Sequence, residues 1–191
     1  MSPSRDAHGA QTSWATDVLN FWFVELPRKQ WFAGGATLDE QVHARFLPVH
    51  RFVAVEPEDA LLADAKTALA AVIVLDQFSR NMFRGTPSAF ASDAKALAIA
   101  EAAISKGFTE ALNGDGRLFL YLPFEHCENA DAQTRSVALI SALGDPELTK
   151  YAQAHKDIID RFDRFPHRNA ILGRTSTAEE SEFLRGPGSS F

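Results

Sequence analysis

The chain has 191 residues, of which 46% are hydrophobic and 23% are charged, and its formal net charge is −6 at neutral pH. This length and apolar fraction suffice for one well-buried core, and no internal stretch is rich enough in Pro, Gly or Ser to divide it. A single domain over residues 1–191 is therefore expected. The acidic balance argues against nonspecific nucleic-acid binding, which needs clustered Lys and Arg.

The sequence composition also indicates the cellular compartment and the classes of partner. The longest apolar runs fall far short of the roughly 20 residues that a membrane span needs, and the polar N-terminus lacks the apolar centre of a signal peptide. The single cysteine, Cys127, excludes an internal disulfide and a multi-thiolate metal site. We therefore expect a cytoplasmic protein that binds neither membranes nor nucleic acid.

The first half of the chain shows helical periodicity throughout. A first helix is expected from Ser13, as N-cap, to Pro27, and a second begins with a capping box formed by Thr37 and Glu40. From Ala65 to about Met82 the sequence is apolar nearly all round, which predicts a central buried helix. Thr86 is expected to cap the next helix, with Pro87 at its first position and Gly107 at its end.

The second half continues in the same way. A short helix carries Phe119 and Tyr121, and another follows from residue 130 to Gly144. Asp145 is expected to cap a long helix that ends near Phe162, and Thr177 with Glu180 forms a capping box for the last one. Residues 1–12 and 186–191 are expected to be disordered tails. No stretch alternates as a strand, so the prediction is an all-α fold of antiparallel helical hairpins stacked in a single domain.

Two related motifs place charged residues where apolar ones are expected. On the central helix the apolar stripe continues to Asp76 and Arg80, whose four-residue spacing allows an ion pair. In the second copy the same spacing predicts the pairs Asp160–Arg164 and Asp157–Arg161. Burying such charges is costly unless they are paired, so these residues either stabilise the fold through ion pairs or belong to a functional site.

Functional side chains are concentrated where these helices end. Guanidinium groups near His and Asn suit a carboxylate or phosphate, because guanidinium binds either group with two hydrogen bonds. We therefore expect a site for a small anionic ligand between the two motifs. The candidate binding residues are Asp76, Arg80, Asn81, Arg84, His155, His167, Arg168, Asn169, Arg174 and Trp22. The candidates for acid–base catalysis are Glu125, His126 and Glu128.

Two alternatives stay open. A helical-repeat module could bind a peptide or partner protein on its concave face, and the polar residues could be purely structural. A metal site is less favoured, because no pair of His residues has the four-residue helical spacing and no Cys ligand set exists. Phosphate-loop, dinucleotide and Ser-His-Asp signatures are absent, so we expect no cofactor.

Long segments of the chain resemble a known family. The stretches "VLNFWF", "LDQFSRNMFRGTPSAFASD", "YLPFEHCE" and "HKDIIDRFDRFPHRNAILGRTSTAEESEFL" are similar to the domain of unknown function 924 family, over about Val18 to Leu184. The resemblance implies an all-helical fold like that of tetratricopeptide repeats and no established activity. It also implies Ser where this chain has Cys127, and more often Gly where it has Asp163, so a cysteine nucleophile is not expected.

Overall fold

The computed structural model describes residues 14–189, and this part of the chain is helical, with no strand. The all-α prediction is therefore confirmed, whereas the tetratricopeptide-like arrangement stays a prediction. Internal contacts divide the chain into two compact units. The first unit comprises Met1–Arg84 and Ser88–Leu120, and the second comprises Gly85–Pro87 and Tyr121–Phe191. No helix within residues 14–189 is long and apolar enough to cross a membrane.

Nine helices, numbered in chain order, make up the part of the chain that the structure describes. The first, α1, covers residues 14–20 and continues through a π-helical turn at Phe21–Glu25, so the predicted N-cap Ser13 lies outside the described residues. The next four are α2 (Ala36–Val55), α3 (Glu58–Leu61), the central helix α4 (Ala65–Met82) and α5 (Asp93–Ser105). The last four are α6 (Gly114–Glu125), α7 (Ala130–Ser141), α8 (Pro146–Phe162) and α9 (Ala178–Phe183).

The central helix α4 has the predicted bounds and the predicted burial. The Asp64 carboxylate caps it by accepting hydrogen bonds of 2.9 Å from the backbone N–H groups of Lys66 and Thr67. Between Ala68 and Leu75 no residue is more than 3% exposed. A π-helical turn at Ile73–Phe78 interrupts its α-helical pattern, and such turns occur often at functional sites.

Caps confirm two predicted helix starts in the second unit. Asp145 Oδ1 accepts from the backbone N–H groups of Glu147 and Leu148, and Pro146 is the first residue of α8. At α9 the Thr177 hydroxyl accepts from the Glu180 N–H at 3.1 Å, while the Glu180 carboxylate accepts from the Thr177 N–H at 2.7 Å. These side chains satisfy backbone donors that the first helical turn leaves without partners.

Two other predicted starts are wrong. Helix α2 begins at Ala36, so Thr37 lies inside the helix and no side chain caps it. The chain enters α2 through Gly34 and Gly35, whose φ values of 62° and 128° are accessible to glycine at little cost. Helix α5 begins at Asp93 instead of Pro87, because Pro87–Ala89 form a separate 3-10 turn.

Each unit has its own apolar core. In the first unit α2 packs along the central helix, and the core contains edge-to-face and tilted aromatic pairs at centroid distances of 4.9 to 6.0 Å. In the second unit α7 packs along α8, and Ile158, Ile159 and Phe165 form a buried cluster covered by Phe162 and Phe183. Residues 184–189 follow α9 as turns and bends, and the predicted disorder of 1–12 falls outside the described residues.

Candidate functional site

The first motif forms an ion-pair network inside the first unit. Arg80 Nη1 lies 3.3 Å from the Asp76 carboxylate and donates to the Asp76 carbonyl at 2.8 Å, so the predicted pair is present. The same guanidinium also binds Asp93 with two hydrogen bonds of 3.0 and 3.1 Å. Burial by itself lowers the pKa of Arg80. The adjacent carboxylates of Asp76 and Asp93 raise it by more, so the net shift is upward and Arg80 stays charged.

Asn81 and Arg84 also bind a carboxylate of their own unit. Asn81 Nδ2 donates to Asp39 Oδ1 at 2.8 Å, and the Arg84 guanidinium donates to both Asp39 oxygens at 2.6 and 2.9 Å. Burial raises the pKa of Asp39, but these hydrogen bonds outweigh it and the net shift is downward. Arg80, Asn81 and Arg84 thus each bind a carboxylate of the first unit.

Trp22 is a core residue of the first unit. Its side chain is 1% exposed, and its ring packs edge-on against Phe78 and Phe119 at 5.5 and 5.4 Å. A ring so enclosed offers no surface for a ligand. Nearby, the His50 imidazole lies 2.8 Å from the Ser79 hydroxyl, a contact that the sequence analysis missed. Ser79 is completely buried, so its hydroxyl is not accessible as a nucleophile and its contact with His50 is structural.

The second motif repeats the sequence pattern of the first but not its ion pairs. The predicted pairs Asp160–Arg164 and Asp157–Arg161 are both wrong. Asp157 and Asp160 lie on the exposed face of α8, where they bind Gln153 and Lys156.

Both arginines of the second motif bind carboxylates of α9. Arg164 donates to both oxygens of Glu180, at 2.6 and 2.8 Å, and Arg161 donates to Glu179. The hydrogen bonds from Arg164 lower the pKa of Glu180 to about 2.

Glu128 and Arg174 form a two-pronged ion pair, at 2.6 and 2.9 Å, in the second unit. Glu128 also accepts from the Phe165 N–H at 2.8 Å, and Arg174 donates to Asn169 Oδ1 at 2.9 Å. Burial raises the pKa of Glu128, but the hydrogen bonds from Arg174 and Phe165 outweigh it and the net shift is downward. A carboxylate held in this way is a poor proton donor near neutral pH.

The other functional groups of the second unit gather around the ring of Phe165. The Arg168 guanidinium lies 4.7 Å from the ring centroid, and the His155 and His167 rings lie 5.7 and 5.6 Å from it. The His126 ring lies 6.2 Å from that of His155. We call His126, His155, His167 and Arg168 the imidazole–guanidinium cluster. All four residues were predicted from the sequence, and the structure brings them together.

Burial and hydrogen bonds hold the cluster in place. Arg168 is 6% exposed, and its Nη2 donates to the His126 carbonyl at 3.0 Å. Gln133 Nε2 donates to the carbonyls of Glu125 and Cys127 at 2.6 and 2.8 Å, which closes the C-terminal end of α6 beside the cluster. Gln133 was missed, although it lies on the same helical stripe of α7 as Ile140.

On the buried side of the cluster, His155 contacts the Glu125 carboxyl group. His155 Nδ1 lies 2.9 Å from the Tyr151 carbonyl and 3.3 Å from Glu125 Oε1, and both residues are 5% exposed. Burial, together with the positive charges of nearby His126, His167 and Arg168, lowers the pKa of His155 to about 3. His155 is therefore a neutral imidazole whose Nδ1–H is oriented by two oxygens.

Half-buried His126 and His167 give the cluster a more accessible side. A guanidinium together with imidazole N–H groups can bind an oxyanion through several charge-assisted hydrogen bonds. The geometry gives less support to metal binding, because residues 14–189 contain no group of three His, Cys, Asp or Glu side chains placed to hold an ion.

A cavity of about 680 Å³ lies elsewhere, in the first unit, at the C-terminal end of α2. Its lining includes Glu56, Glu58, Asp59 and Lys95 and none of the predicted site residues. The Lys95 ammonium donates to the carbonyls of Val53, Ala54 and Glu56 and thereby satisfies acceptors at the helix end. Lys95 thus has a structural role there.

Comparison with known proteins agrees with the architecture. The model of a family described as "Bacterial protein of unknown function (DUF924)" matches residues 18–188. The chain belongs to this family. A solved structure, of the protein of unknown function ATU0120 from Agrobacterium tumefaciens, is 41% identical to this DUF924 chain, with a TM-score of 0.87. The match covers 92% of this chain and 99% of that one. No curated protein matches the sequence.

Proposed function

We propose that this DUF924 protein binds a small anionic molecule, with a carboxylate or phosphate group, at the imidazole–guanidinium cluster of the second unit. The observation that carries the proposal is the buried Arg168 guanidinium beside three imidazole rings. Holding a guanidinium among groups that can themselves become positively charged is unfavourable for stability. An anion bound there would relieve the repulsion.

The other arginines of the two motifs are held in ion pairs. Arg80, Arg84, Arg164 and Arg174 each bind a carboxylate of their own unit with two hydrogen bonds. Such pairs explain the presence of these arginines through stability alone. The buried Arg168 guanidinium stacks on Phe165 and donates to the His126 carbonyl, which holds the guanidinium plane in a defined orientation.

The chemistry of the site favours a small molecule over nucleic acid or membrane. One buried guanidinium and three imidazoles recognise a single anionic group, whereas a polyanion needs a broad surface of Lys and Arg. The single cysteine, Cys127, supports a cytoplasmic location for this binding.

Isothermal titration with phosphate, sulfate, acetate and succinate tests the proposal. Arg168→Gln removes a charge-assisted contact, and we expect it to weaken binding by about 10- to 100-fold. Arg161→Gln is the matched control, because Arg161 lies in the same unit and binds a surface carboxylate; we expect less than about a twofold change. Equal affinities of the two variants, or no binding of any of the four anions by the wild type, would refute the proposal.

Folding of Arg168→Gln is checked by circular dichroism. If that variant is unfolded, His167→Gln replaces it, because the half-buried His167 side chain has less of its surface in the core.

A further inference from the structure

Helices α1 and α2 of the first unit form an antiparallel hairpin with an exposed surface. The Trp14 ring, at the start of α1, lies 6.2 Å from that of Phe52, near the end of α2. Towards the other end, the Phe21 ring lies 5.1 Å from that of Phe46. We call the exposed side chains of residues 16–32 and 41–59 the α1–α2 face.

Exposed apolar side chains are concentrated at the two ends of this face. Of the five large hydrophobic side chains that are exposed within residues 14–189, four belong to it, which are those of Val24, Phe32, Phe52 and Val55. Val24 and Val55 are 74% and 80% exposed. Phe32 is 61% exposed and stacks at 5.8 Å on the ring of Phe119, which holds it in place at the surface. Grouped exposed apolar side chains of this kind mark surfaces that bind a partner.

The two ends carry opposite charge. The loop of residues 27–35 contains two basic residues and no acidic one, whereas three acidic residues directly follow Val55. We call Val24, Arg28, Lys29 and Phe32 the basic end, and Phe52, Val55, Glu56, Glu58 and Asp59 the acidic end.

Most of these charges are not neutralised within the chain. Among residues 14–189, neither Lys29 nor any of the three carboxylates of the acidic end forms an ion pair. Arg28 lies 3.0 Å from Asp115, but its side chain stays 66% exposed. At the acidic end the carboxylates outnumber the nearby bases Arg51 and Lys95, and the Lys95 ammonium donates to backbone carbonyls.

The middle of the face is nearly neutral. The exposed Arg45 guanidinium pairs with Glu25 at 2.6 Å and lies 4.6 Å from the centroid of the Phe21 ring. Asn20 donates to the same Glu25 carboxylate at 2.9 Å. A two-fold axis brings the middle of a face against its own copy, where like charges without partners would oppose association. The same rotation brings the basic end of one copy to the acidic end of the other.

The area of the face suits a dimer. Helix α2 has 20 residues and is therefore about 30 Å long, and two packed helices are about 20 Å wide. Two such faces bury about 600 Å² on each partner, or about 1,200 Å² in total, which is at the lower end of specific stable interfaces.

We infer that two copies of this chain associate through their α1–α2 faces in an antiparallel two-fold dimer. The basic end of each copy contacts the acidic end of the other, so that apolar side chains are removed from water and opposite charges meet. A second copy is the occupant because a face with both signs of charge, one at each end, is complementary to itself after a rotation of 180°. Dimerisation through this face is independent of anion binding in the second unit.

Analytical ultracentrifugation of the whole chain between about 1 and 300 μM tests the inference. The average mass should rise with concentration from 21.0 kDa towards twice that value, with a dissociation constant of about 1 to 100 μM. Val55→Ser should weaken the dimer about tenfold, because it removes an apolar contact at both symmetry-related positions. A mass of one chain at every concentration would overturn the inference.

A charge exchange identifies the face that is used. Lys29→Glu and Glu58→Lys should each weaken the dimer about tenfold, because each turns two symmetry-related attractions into repulsions. The double variant should return to within about threefold of the wild type, since the exchanged charges meet across the dimer. Within one chain the two residues lie at opposite ends of the hairpin, so this recovery has no intramolecular explanation.

Lys150→Glu is the matched control, because it makes the same charge change at an exposed residue of the second unit. It should leave the dissociation constant unchanged. Circular dichroism checks that all variants are folded, which we expect because Lys29 and Glu58 are both exposed. A dimer that neither single variant weakens, or a double variant that binds no more tightly than the single variants, would show that another face is used and would overturn the inference.

Discussion

Replacing Arg80 with Met tests whether the ion pairs of the first motif stabilise the fold. The substitution keeps most of the side-chain volume but leaves the Asp76 side chain, which is only 1% exposed, without its guanidinium partner. Removing one partner of a buried ion pair costs about 3 to 5 kcal/mol. Because the Arg80 and Asp93 side chains are 21% and 20% exposed, we expect the lower half of that range, about 3 to 4 kcal/mol.

For a chain of this length each kcal/mol corresponds to about 2 to 4 °C in the unfolding midpoint, so Arg80→Met should lower it by about 6 to 16 °C. Calorimetry or circular dichroism measures this. Arg84→Met is the control in the same unit, since the Arg84 side chain is 55% exposed. We expect it to cost at most about 1 kcal/mol, or up to about 4 °C.

Adding Asp76→Asn to Arg80→Met should recover part of the loss, because it removes the buried negative charge that lost its Arg80 partner. An Arg80→Met midpoint that equals that of Arg84→Met, or that of the wild type, would refute the reasoning. The network would then not stabilise the first unit, and Arg80 would return as a candidate ligand-binding residue.

Two further perturbations probe the second unit. The folded-state pKa of His155, about 3, lies below its ordinary value of 6.5, so the unfolded chain binds the proton first as the pH falls. Relative to a His155→Gln variant, the free energy of unfolding should be constant above pH 6.5 and should decrease below it by up to about 1.4 kcal/mol per pH unit. Denaturant titrations at several pH values measure it, and parallel pH dependences for the two proteins would contradict the expectation. Asp163 ends α8 in the left-handed conformation, with φ of 57°. Asp163→Gly should therefore raise the free energy of unfolding by about 0.5 to 1 kcal/mol, whereas Asp163→Ala should not. Equal thermal midpoints for the two variants would show that the left-handed backbone does not limit stability.

Asp163 illustrates what local sequence can predict. The family resemblance implies that Gly is more common at this position, and the left-handed conformation that ends α8 is the physical reason, because Gly adopts it without a side-chain clash. The caps at Asp145 and Thr177 were likewise predictable, since a capping side chain binds backbone groups only two or three residues away. The missing cap at Thr37 shows the limit, because Gly34 and Gly35 allow another route into α2.

The candidate site was predictable as a set of residues but not as a geometry. Arg168 and the three histidines were predicted from their positions at helix ends or on apolar faces, and the structure brings Arg168, His155 and His167 around Phe165 and His126 beside His155. It missed Asp39, Asp93 and Gln133, each of which binds a partner from another segment of the chain. No spacing rule relates such partners, because contact across segments depends on how whole helices pack.

The burial of the central helix and the starts of α8 and α9 followed from the linear pattern, because apolar period and capping chemistry act over a few residues. The central helix α4 keeps the bounds Ala65–Met82 for this reason. The ion pairs were decided by tertiary packing: Arg164 binds Glu180, 16 residues away, and Arg174 binds Glu128, 46 residues away. The local pairs Asp160–Arg164 and Asp157–Arg161 satisfied the helical spacing, but packing placed both acids on the exposed face of α8 and brought α9 to the arginines. A charged side chain pairs with whichever opposite charge the packed backbone brings within a few ångströms, and only the fold decides which that is.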